Sequence, residues 1–208
     1  MARKPLTKPR KAASQERSRA TVDALVEATA RILVKEGFDK ASTNRIADVA
    51  GVSVGSLYQY FPTKEALVAA VIERHQQEIM QTVRGELAGI LGLPLEKAIR
   101  RLVTVAVAAH RVDPKLHRVV AEQIPRVGEL EKLAAFNREN YTLFKTYLER
   151  HRDELRVHDL DLASFVCVTS IEALTHNAVL HHAKTFSDDT MDALVDEAVR
   201  LVMGYLKR

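Results

Sequence analysis

The sequence predicts an all-α fold of about nine helices, with an N-terminal three-helix helix-turn-helix domain followed by a C-terminal helical domain. Two observations carry that prediction. Apolar residues return at intervals of three and four through most of the chain, and no stretch alternates with the period of two that a half-buried strand needs. Between these stretches stand caps and breakers of the kinds that start and stop helices: Ser42, Gly51, Ser53, Thr63, Pro94 and Asp113-Pro114. Neither an internal repeat nor a long low-complexity segment interrupts the pattern.

Taken in order, residues 1–17 read as a basic flexible arm. From Met1 to Arg19 the chain has seven Lys or Arg against one acid, Glu16, with Pro5 and Pro9 among them. Two readings stay open, a solvated tail or an arm that tracks phosphates or enters a minor groove. From Ser18 to Lys35 the spacing becomes helical, with Val22, Leu25, Val26, Thr29, Ile32 and Leu33 on one side and Gly37 as the stop. Such a helix would brace the next two, because two short helices cannot bury a core alone.

Residues 42–64, STNRIADVAGVSVGSLYQYFPTK, are the most informative stretch. Ser42 is an N-cap for a helix from Thr43 to Ala50. Gly51 suits a sharp turn, Val52 can plug the angle between helices, and Ser53 can cap a second helix from Val54 to about Phe61. That is a helix-turn-helix, whose second helix enters a major groove. Leu57 and Phe61, four apart, share a core-facing side. Val54, Gly55, Ser56, Tyr58, Gln59 and Tyr60 are left on or beside the outward face. Small residues there allow close approach, phenols can bond phosphate and an amide can read a base edge. Lys64 follows in the first turn of the next helix, where a cation gains nothing from the helix dipole but would gain from a phosphate.

That next helix is expected over 63–84, with a first half that packs on residues 18–64, the DNA-binding domain, and a second half that leaves it. Gly85, Gly89, Gly92 and Pro94 then loosen the chain within the second domain, 65–208. An apolar helix is expected from Pro94 to about Arg111, a short one from Asp113-Pro114 to about Gln123, and a long one from Pro125 to about Leu155. Two more helices are expected over 160–183 and 188–206. In the first, Leu162, Val166, Thr169, Ala173, His176 and Leu180 recur at fours and threes, as do Met191, Leu194, Ala198, Leu201 and Tyr205 in the second. A neighbouring row, Val195, Val199, Val202 and Leu206, runs along the last helix. One row can face its own domain while the other faces a second copy in a four-helix bundle.

Composition narrows the function classes. The net charge is +4, but residues 1–64 hold 12 Lys and Arg against 6 acids while the remainder holds 19 against 21. The basic surplus therefore lies with the helix-turn-helix, as a polyanion binder requires. No uninterrupted apolar run has the length of a membrane span, no secretory signal opens the chain, and the one cysteine, Cys167 between Val166 and Val168, reads as a buried small hydrophobe. A cytoplasmic protein with no membrane partner is expected. Glu172 and His176 form an i, i+4 pair able to ligate a metal, but no third ligand stands at a recognisable spacing, so neither metal nor cofactor is expected. No phosphate-cradling glycine loop and no Ser-His-acid arrangement can be picked out, so an enzyme is not expected.

The residues Ile46-Ala47, Ala50-Gly51-Val52-Ser53, Gly55-Ser56-Leu57-Tyr58, Tyr60-Phe61 and Lys64-Glu65-Ala66-Leu67 closely resemble the head pattern of TetR/AcrR-family transcriptional regulators. With the first helix the resemblance covers about a third of the chain, and beyond it only helix number and order agree. It implies a homodimer on a palindromic double-stranded DNA operator, usually a repressor, released when a small-molecule effector enters the C-terminal domain. Family DNA contacts fall on Thr43, Asn44, Val54, Gly55, Ser56, Tyr58, Gln59, Tyr60 and Lys64. Phosphate positioning suits Thr43, Tyr58, Tyr60 and Lys64, and base reading suits Asn44, Arg45, Ser56 and Gln59. The expected pocket walls are Val103, Val107, His110, Gln123, Tyr141, Phe144, Phe165, Thr169, Glu172 and His176. A nearby alternative is a related DNA binder without an inducer, controlled by a protein partner or acting as an architectural protein.

Overall fold

The computed structural model describes residues 16–90, 92–127, 130–182 and 186–207. Within them the chain forms α1 (Glu16–Glu36), α2 (Thr43–Ala50), α3 (Val54–Tyr60), α4 (Lys64–Ile90), α5 (Leu95–Arg111), α6 (Pro114–Val127), α7 (Leu130–Arg150), α8 (Leu160–His181) and α9 (Asp188–Leu206). The fold is all-α; among the described residues the β geometry is limited to one isolated bridge between Leu155 and Lys207. The basic arm expected over 1–17 falls outside the described residues except at Glu16 and the backbone of Arg17.

The helices gather into two compact units. One comprises residues up to Gln77 with Lys115–Lys132, and the other comprises Glu78–Pro114 with the residues from Leu133 onward. Thus α4 gives its first half to one unit and its second half to the other. A boundary at residue 64 rests on the motif alone; the packing divides the chain elsewhere.

In the first unit the caps act where the sequence places them. The α1 helix buries Leu25, Val26, Thr29, Ile32 and Leu33 and stops at Gly37, whose φ of 82° is left-handed and whose N–H donates to the Leu33 carbonyl at 3.1 Å. Ser42 accepts from the Arg45 N–H, Ser53 from the Ser56 N–H, and Thr63 from the Ala66 N–H at 3.2 Å, which opens α2, α3 and α4 in turn. Gly51 takes φ 68° and bonds back to Ala47 and Asp48, and this reverses the chain between α2 and α3. Leu57, Phe61, Ile46 and Leu67 are each no more than 1% exposed.

In the second unit α5 packs on both α8 and α9, which pack on each other. Ile99 and Val103 of α5, Phe144, Tyr147 and Leu148 of α7, Ala163, Cys167 and Ile171 of α8, and Val195, Val199, Val202 and Leu206 of α9 form one core. Arg156 closes it by donating to the carbonyls of Tyr205 at 2.9 Å and Gly204 at 2.7 Å, groups that the end of α9 leaves without helical partners.

Two sequence expectations change. The α4 helix does not end at 84 but runs through Gly85 and Gly89 to Ile90, since glycine lowers helix stability by only about 1 kcal/mol and cannot by itself end a packed helix. Pro125 does not start α7. It lies in the last turn of α6, where its missing N–H removes one bond near the helix end, and α7 begins at Leu130 and stops at Arg150, before a single 3-10 turn at Arg152–Glu154. The α8 helix is long and apolar enough to cross a membrane by length and composition, although its sequence has no unbroken apolar run. Ala163, Cys167, Ile171 and Ala178 along it belong to the core.

Candidate functional site

The α3 helix presents a narrow surface because its two sides have different neighbours. Leu57 is fully buried, whereas Val54 is 36% and Tyr58 40% exposed, and Gly55 and Gln59 are open as well. At Gly55 a Cβ would meet only the Ser53 hydroxyl, at 3.8 Å, so the helix start has a flat, accessible backbone. The Tyr58 and Thr43 hydroxyls are 3.0 Å apart, so α2 and α3 offer a joined pair of hydroxyls on one side of the motif. Asn44 stands exposed beside them at the start of α2.

Four residues expected on this surface are placed differently. Tyr60 does not face outward: it is 7% exposed and its hydroxyl donates to Ser18 at 3.1 Å, which ties α3 to the start of α1. The physical reason is rotation, since Tyr60 stands three residues after Leu57 and shares its buried side. Arg45 lies between two acids, Glu36 at 3.3 Å and Asp48 at 3.4 Å, so reaching a base would require breaking both contacts. Lys64 donates to the Phe38 carbonyl at 3.2 Å and stands 4.1 Å over the Phe38 ring, which fixes it against the loop after α1. The Ser56 hydroxyl lies 2.8 Å from that of Ser53 and is part of the α3 cap.

In the second unit, the seam expected for a partner is only partly turned outward. On α8, Leu162 is 54% exposed and Thr169 and Ala173 are open, with Val166 and His176 half-buried; Leu180 is buried. On α9, Leu201 is 54% exposed and Leu194 and Tyr205 are half-buried, while Met191 and Ala198 lie in the core. Leu180, Met191 and Ala198 therefore pack inside their own unit. A three-four repeat defines a face, but the rotation of the helix decides which edge of it is outward. The row Val195, Val199, Val202 and Leu206 faces inward throughout, at no more than 8% exposure.

The residues expected to wall a pocket differ in burial. Val103, Val107, His110 and Phe144 are buried within the second unit, but Phe165 is 50% exposed and Thr169 and Glu172 are open. Tyr141 packs edge-on to Phe165, with ring centres 5.6 Å apart, and its hydroxyl is 3.4 Å from that of Thr169. Gln123 belongs to the first unit, where it is 5% exposed and its Oε1 has no hydrogen-bond partner among the described residues. An open groove of about 340 Å³ is lined by Ala173, Leu174, Asn177, Ala178, His182, Phe186 and Leu194. Cys167 is buried as expected, and burial pushes its thiol pKa up to about 12.

Two histidine arrangements depend on contacts between helices that residue spacing does not record. In the first unit, His75 of α4 and His117 of α6 are buried with Nε2 and Nδ1 2.8 Å apart. In the second, His110 at the end of α5 meets Glu172 of α8, Nε2 to Oε1 3.4 Å, with the His176 ring edge-on at 5.7 Å. Burial acts to lower the His110 pKa, but the Glu172 carboxylate and the Ala106 carbonyl outweigh it and hold the imidazole above its ordinary value. His176 is held below, by burial first and then by the neighbouring charge of His110, against the pull of Glu172.

Comparison with known proteins reaches both units. Residues 25–71 match the family described as bacterial regulatory proteins, tetR family, and residues 94–206 match the tetracyclin repressor-like C-terminal domain. The chain is similar to the nucleoid occlusion factor SlmA of Haemophilus ducreyi, 27% identical over 116 residues, which is 56% of this chain and 55% of that one. It is 34% identical over 117 residues to the transcriptional repressor KstR of Mycolicibacterium smegmatis, covering 51% of this chain and 56% of that one. The chain thus spans about half the length of these curated relatives. A TetR-family transcriptional regulator from Mesorhizobium loti has the same fold, with a TM-score of 0.76 at 17% identity over 93% of this chain and 100% of that one.

Proposed function

The chain belongs to the tetR family of bacterial regulatory proteins, and on that premise we propose that it is a cytoplasmic transcriptional repressor that binds a palindromic operator as a homodimer and is released by a small-molecule effector. One observation carries the reading: Tyr58 and Gln59 stand out from a capped helix whose Leu57 side is anchored in a core. Thr43, Asn44, Val54 and Gly55 would complete the contact. Tyr60 and Lys64 would act chiefly by fixing α3 and the loop beside it. Phosphate contact belongs to the Thr43–Tyr58 hydroxyl pair and base reading to Gln59 and Asn44.

A homodimer is supported by the apolar residues that α8 and α9 leave open, Leu162, Phe165, Leu174 and Leu201. Two copies would set two recognition helices at half-sites about 34 Å apart. An effector would act through α4, whose residues are shared between the two units. To turn a mostly bound population into a mostly free one it must prefer the released state by about 5 kcal/mol.

A second reading rests on the similarity to the nucleoid occlusion factor: a DNA binder spread over many chromosomal sites without an inducer. Genome-wide binding profiles separate the two, since a regulator occupies one or a few palindromes near promoters. On a mapped operator, Tyr58→Phe should weaken binding to all sequences and Gln59→Ala should alter base preference. A base-resolved profile left unchanged by Gln59→Ala would remove Gln59 from the reading surface.

A further inference from the structure

We propose that His110, Glu172 and His176 form a binding site for one divalent transition-metal ion of the zinc type. The site lies within the second unit and is independent of the operator reading. A pair of metal-ligating types one turn apart on one helix is common and carries nothing alone; the third ligand, supplied by another helix, makes the arrangement specific. His110 comes from the last turn of α5, 62 residues away from Glu172 in sequence, and is 2% exposed.

Three geometric facts argue for an ion. The His110 Nδ1 lies 2.7 Å from the Ala106 carbonyl and donates to it, which leaves the lone pair of the neutral ring on Nε2. A carbonyl behind the far nitrogen is the usual way that a ligating imidazole is oriented and made more basic. That Nε2 is 3.4 Å from the Glu172 Oε1. Two ligands held at about 2.0–2.2 Å from a tetrahedral zinc ion stand about 3.4 Å from each other, so the separation already suits a shared ion. His176 follows Glu172 by one turn of α8, and its ligating atom is within 4.8 Å of that of His110.

Two imidazoles and one carboxylate suit zinc and its borderline neighbours. The Glu172 side chain is 56% exposed, which gives an ion a way in from solvent. Without the ion, a proton shared between His110 and Glu172 fills the same electrostatic role, and metal and proton then compete for one imidazole.

The test uses the full chain with any histidine tag removed. Cobalt is titrated as a spectroscopic probe, zinc binding is measured by calorimetry, and thermal unfolding is followed with and without zinc. One equivalent of either ion should bind per chain, and zinc should raise the melting temperature. Because His110 is buried, its removal could disturb folding, so the deciding variants are Glu172→Gln and His176→Gln on α8. Each should lower affinity by at least about tenfold and abolish the zinc-dependent rise in melting temperature. His182→Ala, which removes an exposed ring stacked on Phe186, should change neither. Binding of one equivalent that is indifferent to both α8 variants would overturn the assignment, as would an unmoved wild-type melting temperature in excess zinc.

Discussion

Phe61 and Phe165 are the same side chain in the two units, and they have opposite fates. Phe61 closes α3 at 1% exposure, behind a helix whose other side stands open, whereas Phe165 lies on α8 at 50% exposure. In the first unit, buried and open residues are separated by short-range devices: a cap that accepts from the N–H three residues on, a glycine at the turn, a buried pair four apart. In the second, the same separation depends on how far α8 and α9 are rotated against α5. A motif built from neighbours in sequence therefore fixes its own outward face, while a helical bundle fixes its outward face only when it is assembled.

The sharpest way to break that comparison is to truncate both rings. Phe61→Ala should cost about 3–5 kcal/mol, the range for removing a buried aromatic ring, and lower the denaturant midpoint of the first unit. Phe165→Ala should cost less than about 1 kcal/mol in the monomer and show itself in sedimentation, as weaker self-association. Similar losses of stability from both would mean that Phe165 is buried within its own chain.

The turn offers the next test. At Gly51, φ is 68°, a conformation that penalises any residue with a Cβ, although nothing lies within 4 Å to clash with one. Gly51→Ala should therefore destabilise the head by about 1–2 kcal/mol from backbone strain alone. A chemical-denaturation curve unchanged by the substitution would show that the turn relaxes to another conformation.

A smaller effect is expected at Tyr60, which is buried against α1. Tyr60→Phe removes the hydroxyl that donates to Ser18 and should cost about 0.5–1.5 kcal/mol. If Tyr60 serves as an anchor, operator affinity should follow that loss of stability. If its hydroxyl also meets a phosphate, affinity should fall further than stability does.

These contrasts account for what could be read from the sequence. Ser42, Gly51, Ser53 and Thr63 act within three or four residues of themselves, so their roles are visible in spacing, and the all-α class and element order follow. Tyr60 is buried because it stands three residues after Leu57 and shares its side of α3, which the pairing of Leu57 with Phe61 alone does not record. The longer-range partners of Arg45 and Lys64, Glu36 and the Phe38 carbonyl, lie 9 and 26 residues away, beyond what spacing records. The meeting of His110 with Glu172 and His176 belongs to the same class, since packing of α5 on α8 creates it and no spacing records it. The seam rows show the limit most plainly: a three-four repeat identified apolar faces on α8 and α9 but left Leu180, Met191 and Ala198 on the wrong side.

The mildest prediction concerns α4, the helix that the two units share. Gly85 and Gly89 are exposed, neither has a positive φ, and a Cβ at either would meet nothing within 4 Å. Local packing therefore gives no reason for glycine there, and each lowers helix stability by about 1 kcal/mol relative to alanine. Gly85→Ala and Gly89→Ala should each raise stability by up to that amount, in contrast to the loss at Gly51. If an effector in the second unit acts by bending this part of α4, the double variant should unfold at higher denaturant and still bind DNA, but need more effector for release. Equal stabilisation with an unchanged effector response would place the bend elsewhere, N-terminal to Gly85 or in the connection from α5 to α6.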